Sequence, residues 1–151
     1  MSYKDNSGRY LRDIDRGETL VNIGAYTFMP NHFHLLIQAK SDDGTSIFMQ
    51  KLSTGYSLYF NKRHDRTGSL FGSTFQARHV DSEDYLKCLY AYIHLNILTR
   101  NGVIKSLDIN TLRQKLSDYK FSSYLDYHGL KYREDSLILE RNVVIDCLGD
   151  V

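Results

Sequence analysis

His32 and His34 are separated by one residue in the run Met29-Pro30-Asn31-His32-Phe33-His34-Leu35-Leu36-Ile37. On an extended strand, residues two apart share a face. That spacing sets two imidazoles side by side and turns Phe33 and Leu35 the other way. Two neutral imidazoles so placed can close on one divalent ion. Taken alone, the pair also fits ordinary polar side chains on a solvated strand.

A second group lies in Tyr85-Leu86-Lys87-Cys88-Leu89-Tyr90-Ala91-Tyr92-Ile93-His94-Leu95-Asn96. Leu86, Leu89, Ile93 and Ile97 recur at helical spacing and predict a core-facing stripe. Tyr92 and Asn96, four apart, stack at the border of that stripe. Asn96 offers a carbonyl oxygen as a third ligand beside two imidazoles. A phenol near a Lewis acid can act as a nucleophile and form a covalent ester. A half-buried packing tyrosine fits the same periodicity. Tyr90 points to a nearly opposite face, whereas Tyr85, seven positions away, shares the face of Tyr92 and is the closer rival.

The third group is Tyr56-Ser57-Leu58-Tyr59-Phe60-Asn61-Lys62-Arg63-His64-Asp65-Arg66. From Lys51 to Val80, Lys51, Lys62, Arg63, Arg66 and Arg78 face a single acid, Asp65. Such an excess can contact phosphates, with aromatics available to stack on unpaired bases. It equally suits a solvated helix end, where cations favour the last turn. Tyr59, Asn61, Lys62, Arg63, Arg66 and Arg78 are the candidate nucleic-acid contacts.

The elements that must carry these groups can be read from pattern. Thr19–Met29 is rich in β-branched and aromatic residues and predicts a strand. Pro30-Asn31 marks a turn, and His32–Gln38 predicts its hairpin partner. Ser41-Asp42-Asp43-Gly44 reads as a loop with capping residues, followed by a helix from Ser46 to about His64. Ser73–Val80 is a third strand candidate. An acidic start at Asp81-Ser82-Glu83-Asp84 opens a helix to Thr99, closed by Asn101-Gly102. Shorter helices are expected over Arg9–Arg16, over Ile109–Leu116 and from Ser122, with a partly helical tail from Tyr132. Three stretches follow: a polar segment 1–19, a domain 20–130 and a tail 131–151.

Composition bounds the rest. The 151 residues favour one domain. A hydrophobic fraction of 42% and a charged fraction of 25% exclude collagen-like, coiled-coil and broadly disordered chains. The net charge of +1 gives no global sign of a nucleic-acid binder. Cys88 and Cys147 stand far apart, which signals neither a disulfide framework nor a zinc ribbon. The polar start and the lack of a long apolar run predict a cytosolic protein without a membrane partner.

The segments MPNHFHLLI, YFNKRHDRTGSLF, YIHLN and SDYKFSSYLDYHG, in this order over residues 20–130, resemble the single-tyrosine HUH transposases. They are most similar to the branch associated with REP elements. The resemblance implies an α+β fold, a ferredoxin-like α/β sandwich with an antiparallel sheet and helices packed on one face, usually dimeric. It implies His32 and His34 as the HUH histidines, Asn96 as third metal ligand and Tyr92 as nucleophile. A divalent cofactor, Mg²⁺ or Mn²⁺, would polarise the phosphoryl oxygen of single-stranded or hairpin DNA. The implied products are a 5′-phosphotyrosine and a free 3′-hydroxyl, with strand transfer on reversal. The cell site would be cytoplasmic and nucleoid-associated.

The chain departs from that pattern in three places. The family places a strand and a long helix before the hairpin, where this chain has about twenty polar residues. That predicts a sheet lacking the family's first strand, with an exposed edge for a partner to cover. Gly72-Ser73-Thr74-Phe75 stands where Gln-Gly-Arg-Phe is usual, and Asn96-Ile97 replaces Asn-Pro, which lets the helix continue. Two alternatives stay open: a catalytically inactive or truncated relic that binds DNA hairpins, and a metal-dependent phosphohydrolase that does not use Tyr92.

Overall fold

The computed structural model describes residues 13, 15, 17–99, 108–129 and 132–148. Strand β1, Val21–Phe28, and strand β2, Phe33–Ala39, pair antiparallel around the Pro30-Asn31 turn. The turn is closed by the Met29 amide on the His32 carbonyl at 2.8 Å. The register pairs Thr27 with His34 and Phe28 with Phe33, with a bulge between Ile23 and Ala25. Helices follow: α1 Gly44–Arg63, α2 Glu83–Thr99, α3 Ile109–Asp118, α4 Tyr124–His128 and α5 Asn142–Leu148, with a 3₁₀ turn at Glu134–Ile138 before the last. The architecture is α+β, as the sequence implied.

The core forms where one face of the hairpin meets α2 and α5. Ala25, Leu36, Tyr90, Ile93 and Val144 are buried together, with Leu86 and Leu89 packed against them. Gly24 permits this approach: a Cβ there would lie 2.8 Å from Val143 Cγ1 and 3.2 Å from Val144 Cγ1. The stretch set apart as a tail from residue 131 therefore reaches the core through α5. Asp108 caps α3 by accepting from the Asn110 and Thr111 amides, while Asp43 precedes α1 without a side-chain cap.

Two expectations are corrected. Ser73–Val80 forms no strand. Its residues from Ser73 to His79 are exposed and only Val80 packs on the core, so no buried alternation holds it to a sheet. The free edge of β1 is also not left for a partner. Phe28 donates to the Phe121 carbonyl at 2.9 Å, Tyr26 accepts from Ser123 at 3.0 Å, and Ile23 accepts from Glu140 at 2.8 Å. Isolated bridges Thr27–Ser122 and Ile23–Leu139 complete this closure. The chain covers the edge with its own later segments, one of the routes by which proteins blunt exposed strands. Of the helix expected over Arg9–Arg16, only Asp13 and Asp15 are among the described residues. The Asn101-Gly102 cap and the Cys147 side chain lie outside them.

Candidate active site

The hairpin turn and α2 bring the chemistry together. The His32 and His34 rings lie 5.1 Å apart, edge to face. The Tyr92 ring stands 5.5 Å from His34, also edge to face, within the same chain. Tyr92 is 51% exposed, so the residue is open to solvent. The rivals are placed differently. Tyr90 is in the core with its hydroxyl buried, and that burial pushes its pKa up. Tyr85 precedes Tyr92 by two turns, roughly 10 Å along the axis.

The histidines differ in their surroundings. His32 is exposed, and its Nδ1 is 2.9 Å from Asn31 Oδ1. A bond donated there fixes the tautomer and leaves Nε2 with a free lone pair. His34 Nε2 is buried and has no hydrogen-bond partner. Burial and the neighbouring His32 both push the His34 pKa below the usual histidine value, keeping it neutral. A buried, neutral nitrogen without a partner is costly unless something else accepts its lone pair, which fits a metal ligand. Asn96 is buried one turn beyond Tyr92 on the same helix face. Among the described residues, no three His, Cys, Asp or Glu side chains gather as a metal cluster. A divalent ion here would rest on two imidazoles and a neutral amide such as Asn96.

The reverse face of the hairpin is aromatic. Phe33 lies 6.3 Å from Phe28 and 6.2 Å from Phe71, and Phe71 lies 6.3 Å from Tyr56. Tyr56 continues the file to Phe60 at 6.1 Å, where the Arg66 guanidinium sits 5.7 Å over the ring. The file thus ends at the basic terminus of α1, where Tyr59, Lys62, Arg63 and Arg66 are exposed. Asn61 has a different position: its Nδ2 donates to the Gly68 carbonyl at 2.8 Å and holds the following loop. Arg78 is exposed on the irregular segment before α2.

A model of the family described as transposase IS200-like matches residues 4–96, more than half of the chain. The chain belongs to the IS200-like transposase family. The match spans the hairpin, α1 and α2 up to Asn96. No curated protein and no solved structure matches this family member. Among its described helices, none is long and apolar enough to cross a membrane.

Sequence reasoning singled out both histidines and Tyr92, and the structure brings them together. It missed Asn31, although the residue lies in the MPNH run, because only its contact with His32 reveals a role. It also missed Thr27, Ser122, Ser123 and His94, a buried polar group behind the site. His94 stands in the YIHLN run, where a histidine on a core-facing turn was the available signal.

Proposed function

We propose that this transposase-family chain nicks single-stranded DNA beside a hairpin and rejoins it, using Tyr92 as nucleophile. The observation that supports this reading is the 5.5 Å edge contact between Tyr92 and His34 inside one chain. The Tyr92 oxygen attacks the scissile phosphorus, forming a P–O bond as the bond to the 3′-oxygen breaks. The phenolic proton is lost to solvent, and the leaving 3′-oxygen acquires one. The chain keeps a 5′-phosphotyrosine, which conserves the bond energy, so a 3′-hydroxyl of another strand can reverse the step without ATP.

His32, His34 and Asn96 would hold Mg²⁺ or Mn²⁺, which when bound supplies Lewis-acid polarisation of the phosphoryl oxygen. The aromatic file and the cations Lys62, Arg63 and Arg66 would carry the flanking DNA, with Tyr59 and Arg78 as further contacts and Asn61 shaping the loop. The work would be done in the cytoplasm, at the nucleoid. A homodimer remains part of the proposal, but the nucleophile and histidines do not need a second copy to meet.

The test is a labelled hairpin oligonucleotide with single-stranded flanks, incubated with Mn²⁺ and resolved under denaturing conditions. The expected result is a covalent adduct lost in Tyr92→Phe. Hairpin binding without an adduct would replace this reading with the DNA-binding relic. Cleavage that survives Tyr92→Phe would replace it with a phosphohydrolase.

A further inference from the structure

Behind Tyr92, where α2 crosses β1, the core is polar. Thr27, Ser122 and Ser123 are 0–1% exposed and His94 is 3% exposed. Burying four polar side chains in so small a core is unfavourable unless each is bonded, and the bonds run in a particular direction. Thr27 Oγ1 donates to the Ile93 carbonyl at 2.7 Å. Ser122 Oγ lies 3.2 Å from the same hydroxyl. His94 Nε2 lies 2.7 Å from Ser123 Oγ, which in turn accepts from the Tyr26 amide at 2.9 Å. The two residues that follow Tyr92 in the chain are therefore both fastened to β1 or to the segment along its edge.

We propose that the Thr27 hydroxyl is a positioning group that sets the Tyr92 ring against His34. Thr27 is the β1 residue paired with His34 across the hairpin. The route from nucleophile to histidine is thus short: Tyr92, the Ile93 carbonyl, the Thr27 hydroxyl, the β1–β2 pair, His34. The helix does not need this bond to satisfy its own backbone, because Ile93 lies mid-helix and its carbonyl serves Ile97 within α2. A carbonyl has a second lone pair, and Thr27 uses it. Valine would fill nearly the same space with no buried hydroxyl. Apolar packing alone is non-directional and would let α2 slide along the sheet, whereas a 2.7 Å hydrogen bond fixes a point on the helix. Displacement of a nucleophile by about 1 Å costs on the order of a hundredfold in rate.

The inference rests on Tyr92 being the nucleophile, and its test separates the two ideas. Thr27→Val and Thr27→Ser are compared with the wild-type chain in the hairpin adduct assay. A 3-fluorotyrosine placed at position 92 reports the His34 ring through its ¹⁹F shift, independently of any reaction. Thr27→Val is expected to slow adduct formation about 10- to 100-fold at saturating hairpin, with KM unchanged and the ¹⁹F signal moved. Thr27→Ser loses a buried methyl and some melting temperature, yet is expected to keep the wild-type rate and ¹⁹F shift.

A purely structural role would instead make the rates follow the melting temperatures, and that result overturns the proposal. So does a Thr27→Val variant with wild-type rate and ¹⁹F shift. If Thr27→Val does not fold, Thr27→Cys, which keeps the shape with a weaker donor, is expected to fall between wild type and that loss. A wild-type chain that forms no adduct would sink the nucleophile assignment, while the ¹⁹F comparison would still decide whether Thr27 places the ring.

Discussion

The inner and outer edges of β1 are closed by different means. On the inner edge β2 follows after four residues, and a ladder runs from Val21–Ala39 to Phe28–Phe33. On the outer edge the closures are scattered bonds from Phe121, Ser123, Tyr127 and Glu140, roughly a hundred residues away, with Tyr26 and Ser123 bonded reciprocally. The inner side lies within the family match, which ends at Asn96, and every outer closure lies beyond it. The candidate site thus lies within the family match, and the outer edge of its strand is closed by segments beyond it. Closing a longer loop costs only slowly more, so distance does not forbid this. It does change the failure mode, because a ladder is lost cooperatively and isolated bonds are lost one at a time.

The sharpest way to break the comparison is to unfasten the outer side at Arg133. Its guanidinium bonds to the carbonyls of Lys120 at 2.6 Å and Ser122 at 3.0 Å, and pairs with Asp126 at 3.3 Å. The Asp126 side chain is 1% exposed and its Oδ1 has no partner. Arg133→Ala removes the ion-pair partner of that buried carboxylate and leaves it the Tyr26 hydroxyl at 3.4 Å, for an expected loss of about 3–5 kcal/mol at pH 7. Burial already raises the Asp126 pKa, and Arg133 opposes the rise. A raised acid pKa favours the protonated folded state, so the cost in Arg133→Ala should shrink as pH falls toward the carboxylate range. Urea unfolding at pH 7 and at acid pH checks both size and sign. Equal losses at the two pH values would show that Asp126 is not the cause.

The same division explains what could be read in advance. Strand β1, strand β2 and the helices carrying Phe48 and Ile93 follow from period-2 and period-3.6 patterns, which are local. His32, His34 and Tyr92 follow from residue type and spacing, with a family resemblance to fix the register. The outer closure leaves no such periodicity, although Phe121 to Tyr127 fall in the SDYKFSSYLDYHG run that carries the resemblance. Phe121, Ser122 and Ser123 contribute one bridge and a few bonds, too little to leave an alternating pattern. Ser73–Val80 shows the converse error: β-forming residues with no face to bury stay irregular.

A milder challenge is acid. His94 joins the tyrosine helix to Ser123, and burial lowers its pKa to about 4, with nearby His128 adding to the effect and a bond to the Tyr90 backbone opposing it. Above the unfolded-state value near 6.5 neither state binds the proton. As pH falls below it, the unfolded chain protonates first and stability drops until about pH 4. The expected loss across that window is on the order of 3 kcal/mol. Thermal unfolding between pH 7 and 4 should show it in the wild type and a flatter profile in His94→Gln. Matching slopes would remove His94 from the account.

The smallest expected effect is also the most local. Tyr127 donates its hydroxyl to the Gly24 carbonyl, at the bulge where the inner ladder loses its register. Burial pushes the Tyr127 pKa up to about 12, so it remains a donor throughout the working pH range. Tyr127→Phe keeps the ring against Tyr90 and under Arg141, and removes one bond worth about 1 kcal/mol. If the outer edge is a set of separable contacts, the loss should be felt unevenly. The Tyr26 and Phe28 amides, which bond outward to Ser123 and Phe121, should exchange hydrogen faster in the variant. The amides of the β1–β2 ladder should keep wild-type protection. Uniform acceleration across both edges would mean that β1 opens as one unit and that the two edges are not energetically distinct.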